Sequence, residues 1–231
     1  MTRTRTVRGI FGPAGSGKTH LAAKLYGQER RAVVYNFMRD EQFTQKSTFV
    51  TGEVRNIAHL MLTEDPPTRI DFQPQDVGQD KPESFDLLCR EIEIIGQVLR
   101  KHDLRSAFYV DETHMLTSAG WSPEDFKRLI FTGRHLEIDM TFMAMRFAYI
   151  DKRLTHQTQV FNLFQTFEPS DLDAIAERFA GGTMYGGERI EGDAIAERVR
   201  NLRRADLRSD PVKPGQYLEI DTRTDTATVK E

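Results

Sequence analysis

An α/β fold with a central, mainly parallel sheet flanked by helices follows from three features of this 231-residue sequence. Short apolar runs of strand length alternate with segments of helical periodicity, the order that lays helices over both faces of a parallel sheet. The first apolar run feeds a glycine-rich turn that opens a helix. A later run ends in two adjacent acids, Asp111 and Glu112.

Val7 to Phe11 is the first strand, and Lys18 to Tyr26 is the helix after the turn. Ala32 to Phe37, "AVVYNF", is the second strand. A short helix is expected over Val54 to Leu62. The Pro- and Asp-rich stretch "TEDPPTRIDFQPQDVGQDKPE" then reads as a long surface loop. Ser84 to Lys101 has apolar residues at 85, 87, 88, 92, 94, 95, 98 and 99, which is helix periodicity. "AFYV", Ala107 to Val110, is a buried strand. In "SPEDFKRLI", Ser122 is the expected N-cap, with Pro123 at the first helical position and Glu124 and Asp125 in the first turn. Met140 to Met145 and Val160 to Phe167 are further strands, and "EPSDLDAIAERF" is a capped helix.

The hexapeptide "DAIAER" occurs at Asp173 to Arg178 and again at Asp193 to Arg198. A repeat array needs about three units, so these read as two amphipathic helices with similar surfaces. "GQYLEIDTRTDTATVKE" closes the chain as a β-hairpin. The expectation is one domain over 1–231, with a core over about 7–180 and a helical and hairpin appendage over about 181–231.

Composition narrows the functional classes. Hydrophobic residues make up 39% and include fifteen Phe, enough for a sizeable core. A net charge of −3 excludes a uniformly basic coat, so any nucleic-acid contact must come from a local patch. Charge is unevenly spread: Glu64 to Glu93 holds nine acids against three basic residues, and Glu197 to Lys213 holds six basic residues against three acids. Cys89 is the single cysteine and sits in a helical pattern, which suits a buried, inert thiol. No apolar run approaches the roughly 20 residues of a membrane span, and "MTRTRTVRG" lacks a signal segment. An intracellular protein without its own membrane span is expected. The six histidines form no metal-binding spacing. Trp121 reads as an anchor at a helix entry.

Gly12 to Thr19 reads "GPAGSGKT" and matches G-x-x-x-x-G-K-[ST], the P-loop or Walker A motif, between a strand and a helix. Backbone N–H groups of Gly12, Pro13's neighbours Ala14 and Gly15, Ser16 and Gly17 would wrap the phosphates of ATP, and the helix N-terminus adds positive potential. Lys18 would bridge the β- and γ-phosphates, Thr19 would ligate Mg²⁺, and His20 continues the nucleotide-binding stretch. Asp111, at a strand end, would hold the Mg²⁺ hydration shell. Glu112, free of the metal, can act as general base on the attacking water, which points to hydrolysis. Thr113 and His114 beside it either sense the γ-phosphate or pack.

Arg134 and Arg146 flank the Met140 to Met145 strand. An arginine that reaches in from a neighbouring subunit can stabilise charge on the transferred phosphoryl group, worth about 10³–10⁵ in rate. Both are candidates, with ordinary surface arginines as the competing reading.

In order and spacing, "GPAGSGKT", "VDETH", "GRHLEIDMTFMAMR" and "QVFNLFQTFEPSDLDAIAERF" resemble the FtsK–HerA superfamily of DNA-pumping ATPases over roughly Val7 to Ala180. Met145 departs from that pattern, which usually has a polar sensor there; Gln157 or Gln159 is the alternative. A core without large extra domains is similar to the genome-packaging ATPases of icosahedral viruses with an internal membrane. That resemblance implies a RecA/FtsK-like P-loop NTPase fold and a homo-oligomeric ring, a hexamer, driving double-stranded DNA into a preformed capsid. It also implies capsid vertex or viral membrane proteins as partners, and a place at the virion's packaging vertex and in the host cytoplasm. Lys152, Arg153, Arg198, Arg200, Arg203, Arg204 and Arg208 are the candidate contacts to the DNA backbone. The alternatives are a zonula occludens toxin-like phage assembly ATPase, a RecA-like phage recombination ATPase and a nucleoside or nucleotide kinase.

Overall fold

The computed structural model describes residues 5–76, 83–118, 120–206 and 215–231, without the side chain of Arg134. The elements run β1 (Val7–Phe11), α1 (Lys18–Tyr26), β2 (Arg31–Tyr35), α2 (Glu41–Thr44), β3 (Phe49–Thr51), α3 (Arg55–Thr63) and β4 (Thr68–Phe72). They continue with α4 (Glu83–Arg100), β5 (Ser106–Val110), α5 (Glu124–Thr132), β6 (Ile138–Ala144), α6 (Lys152–Gln157), β7 (Val160–Phe164) and α7 (Pro169–Arg178). The last are β8 (Thr183–Tyr185), β9 (Glu188–Ile190), α8 (Gly192–Arg200), β10 (Tyr217–Asp221) and β11 (Thr226–Lys230).

Among the described residues all strands join one sheet, in the order β3-β4-β2-β5-β6-β1-β7-β10-β11-β8-β9. From β3 to β7 every pairing is parallel. The expected hairpin forms as β10 and β11, and β10 adds antiparallel to β7, so the C-terminal elements extend the central sheet.

Alternation along the strands divides the core. Ile10, Val34, Tyr109 and Met143 face α1 and α2, where they meet Ala22, Tyr26 and Phe43. Phe11, Tyr35, Phe108, Phe142 and Phe161 face the opposite side, with Phe85, Phe126 and Ile175. Both faces of the parallel strands are therefore dry, which explains their near-continuous apolar runs.

The stretch read as a long loop contains β4, while its residues 77–82 lie outside the described ones. Arg69 and Asp71 made "TRIDF" look polar. Asp71 is nevertheless fully buried between β2 and β3, accepting from the Thr44 hydroxyl at 2.6 Å and the Gln73 amide at 2.9 Å. Ser122 is not the N-cap of α5. Pro123 holds that position, because the Ser122 hydroxyl donates instead to Asp151 at 2.7 Å, across to the start of α6. The two "DAIAER" helices, α7 and α8, pack on each other, and Ile175 and Ile195 are both buried. Cys89 is buried in α4, and burial pushes its thiol well above the ordinary range.

Candidate functional site

β1 delivers the phosphate loop to the C-terminal edge of the sheet, where Gly12 N–H donates to the Ala144 carbonyl at the end of β6, 3.2 Å away. Gly17, the N-cap of α1, has φ 105°, a left-handed value that glycine alone holds without steric cost. Gly12 passes so near β7 that a Cβ there would lie 2.6 Å from Cβ of Phe164. The Ser16 hydroxyl is buried in this loop without a hydrogen-bond partner. Lys18 is buried at the start of α1 and donates from Nζ to the Pro13 carbonyl at 3.2 Å. Burial lowers its pKa, and the carboxylates of Glu112 and Asp111 oppose that shift. Ala14, Gly15 and His20 are exposed, with His20 Nδ1 3.3 Å from Oε1 of Gln42.

β5, hydrogen-bonded between β2 and β6, carries the acids to the same edge. The Asp111 N–H donates to the Tyr35 carbonyl at 3.0 Å, and the side chain is 4% exposed. Burial, and then the charge of Glu112, push the Asp111 carboxyl up to about 7, although backbone N–H groups of Glu112 and Met38 face it. A carboxylate this costly to charge fits a cation, whose own charge would reverse the shift. No group of three or more His, Cys, Asp and Glu among the described residues could hold a metal ion. Mg²⁺ binds through one or two protein oxygens together with water and substrate phosphates. Thr19 and Asp111 are the residues that would hold it.

Glu112 has φ 45° and ψ 45°, a left-handed conformation unusual for a residue with a Cβ and one that clusters at active sites. Its Oε2 is 3.1 Å from Nδ1 of His114, yet neither atom completes a hydrogen bond. His114 is nearly buried; burial lowers its pKa, and Glu112 opposes that shift.

Beside these groups opens a cleft of about 590 Å³, lined by Ser16, Lys18, Thr19, Asp40, Phe164 and Tyr217 among others. Sequence reasoning missed Asp40 and Tyr217. Asp40 is the N-cap of α2, its Oδ1 accepting from the Gln42 N–H at 2.8 Å. An Asp ahead of "EQFT" was the available signal. Tyr217 reaches the cleft because β10 pairs with β7, a long-range event that no local pattern reports.

The flanking arginines separate. Arg134 lies in the turn Gly133–His135, before β6, and its side chain is outside the described residues. The phosphate loop meets the other end of that seven-residue strand, a distance of about 20 Å. Arg146 follows β6 on the phosphate-loop side and is held within the chain. Its Nε donates to Asp171 at 3.0 Å, a second nitrogen donates to Ser170 at 2.9 Å, and the guanidinium lies 4.7 Å from the centre of the Tyr149 ring. Gln159 accepts from the Val7 N–H at 3.0 Å at the start of β1, and Gln157 ends α6 ahead of β7. Both are at the edge away from the phosphate loop, so neither replaces the missing polar sensor. Met145 itself lines a small cavity with Gly12 and Phe164.

The basic candidates mostly have partners in the chain. Lys152 pairs with Glu177 at 3.1 Å, Arg153 with Asp151 at 2.6 Å, and Arg203 with Glu231 at 2.7 Å. Arg200 is 3.7 Å from Glu197, and Arg198 lies over the Tyr185 ring at 3.9 Å. Arg204 is exposed, and Arg208 is outside the described residues. Among the described residues no helix is long and apolar enough to cross a membrane.

No family model matches the chain, and no curated protein matches it in sequence. Its fold is similar to that of the genome packaging NTPase B204 from Sulfolobus turreted icosahedral virus 2 in complex with AMPPCP. The TM-score is 0.70 at 12% identity, covering 100% of this chain and 98% of that one. The ATP-gammaS complex of B204 gives 0.70 at 13% identity, covering 98% and 97%. The cytoplasmic domain of the Thermomonospora curvata Type VII secretion ATPase EccC gives 0.54 at 11% identity, covering 98% of this chain and 23% of that one. The chain thus has a P-loop NTPase fold.

Proposed function

We propose that this chain hydrolyses ATP to drive double-stranded viral DNA into a preformed capsid, acting as one domain in a homo-oligomeric ring, a hexamer. The observation that carries this reading is that Asp111 and Glu112, at the end of β5, lie near enough to Lys18 of the phosphate loop for their charges to act on its amine, at the C-terminal edge of the sheet. The end-to-end likeness in fold to a genome packaging NTPase supports the choice of work.

Backbone N–H groups of Ala14, Gly15 and Gly17 bind the phosphates of ATP, Gly12 and Ser16 donating instead to the Ala144 and Pro13 carbonyls, and Lys18 neutralises the β- and γ-phosphates. Thr19 and Asp111 would hold Mg²⁺, which would supply charge neutralisation at the transferred group. Glu112 takes the proton from the attacking water, with the His114 ring 3.1 Å from its carboxylate. Arg134 sits a strand's length from its own phosphate loop, and in the proposed ring it would serve a neighbouring copy's site. Arg146, occupied by Asp171 and Ser170, fixes the β6 end to α7 next to the phosphate loop.

Lys152, Arg153, Arg198, Arg200, Arg203 and Arg204 contact DNA phosphates without reading sequence. The exposed ion pairs of Lys152, Arg200 and Arg203 are worth only about 0–1 kcal/mol each and yield readily to phosphate. The ring works at the packaging vertex of the virion, against capsid or viral membrane proteins. A steady-state ATPase assay with duplex or single-stranded DNA, with product analysis, tests this. Free phosphate as product and stimulation by duplex above single strands are expected. A response flat to DNA overturns translocation, and phosphorylated nucleoside as product overturns hydrolysis.

A further inference from the structure

On the sheet face away from α1, a cavity of about 120 Å³ opens between α6 and α7, lined by residues including Phe147, Lys152, His156, Glu177 and Arg178. Arg178, the last residue of α7, projects against the core, its guanidinium 5.2 Å from the centre of the Phe161 ring and 5.4 Å from that of Phe179. Those two rings are buried and pack edge to face, so the cation they hold is fixed in place. Its Nε is buried without a hydrogen-bond partner. Unlike Arg146 or Arg153, it has no carboxylate within ion-pairing distance among the described residues. The neighbouring Glu177 is turned to Lys152, with Nζ to Oε1 at 3.1 Å.

A half-buried guanidinium with no counter-charge bears a desolvation cost that an anion would remove. Lys152 and His156 stand four residues apart on α6 and so share one helix face, toward the same cavity. The volume is ample for one phosphate group.

We propose that Arg178, Lys152 and His156 form a second oxyanion site, separate from the phosphate loop, that takes a single phosphate group. The group comes either from a nucleic-acid backbone or from a free phosphate compound. When it binds, Lys152 exchanges Glu177 for the anion. The site stands whether or not the chain hydrolyses ATP.

The test uses the full chain carrying Lys18→Ala, so that the phosphate loop does not contribute. Inorganic phosphate is titrated by calorimetry, and a fluorescent duplex oligonucleotide by anisotropy at several salt concentrations. Arg178→Gln is compared with Lys152→Ala/His156→Ala, whose exposed positions keep the fold safe if the first variant unfolds. Loss of phosphate affinity by about tenfold in the variants assigns a free phosphate ligand. A similar loss for the duplex alone, with a shallower salt slope, assigns a backbone phosphate. Unchanged affinity for both probes in the folded variants, or no binding of either by the Lys18→Ala parent, overturns the site.

Discussion

Oε2 of Glu112 lies 3.1 Å from Nδ1 of His114, and Glu112 reaches this position in a left-handed backbone conformation, φ 45°. The contact sets Glu112, the proposed general base, against a nearly buried imidazole beside Lys18. Glu112→Gln should keep ATP binding and lower turnover by about 10²–10⁴. His114→Ala should lower kcat by a smaller factor with nucleotide affinity unchanged, because the imidazole lies against Glu112. Single-turnover kinetics alongside equilibrium nucleotide binding separate the two effects.

Gly17→Ala should abolish nucleotide binding. The φ of 105° at Gly17 strains any side chain, so relief of that strain would turn the N–H groups of the loop away from the phosphates. Stabilisation by saturating ATP follows RT ln(1 + [L]/Kd) and reaches about 2.7 kcal/mol at 100 Kd in the parent. In the variant it should vanish in a thermal melt.

Arg146→Ala should cost about 2 kcal/mol of stability. It removes a charged hydrogen bond from Asp171, which is 2% exposed and keeps only the Ala148 N–H at 3.0 Å. Urea unfolding of the nucleotide-free protein reads this directly.

The phosphate loop and the Asp111–Glu112 pair were legible in the sequence because both are local. In "GPAGSGKT", Gly12 answers to a close approach to Phe164 and Gly17 to a left-handed backbone. β4 was not legible, since Asp71 reads as polar until the Thr44 hydroxyl, far away in sequence, satisfies it. Ser122 looked like a cap because its competitor for that hydroxyl, Asp151, comes from another helix. Tyr217 and Asp40 enter the cleft through strand order and loop packing, which spacing along the chain does not encode.

Asp151 provides a test in acid. Burial alone would raise its pKa, but hydrogen bonds from Arg153 and Ser122 outweigh this and leave it below the ordinary value. A depressed carboxylate pKa stabilises the fold above the unfolded value of about 3.9 and ceases to do so as pH falls through the folded value. Asp151→Asn should therefore be less stable than the parent by about 1–2 kcal/mol at neutral pH. Urea midpoints should show the gap closing as pH drops below the unfolded value.

The direct test of shared active sites is subunit mixing between Lys18→Ala and Arg134→Ala proteins, each nearly inactive alone. In a mixed ring, an intact phosphate loop from the Arg134→Ala chain can meet an intact Arg134 from the Lys18→Ala chain. The account predicts that ATPase activity with duplex DNA rises on mixing, to a maximum near equal amounts. Full activity of the Arg134→Ala protein by itself, or no recovery at any ratio, would contradict it.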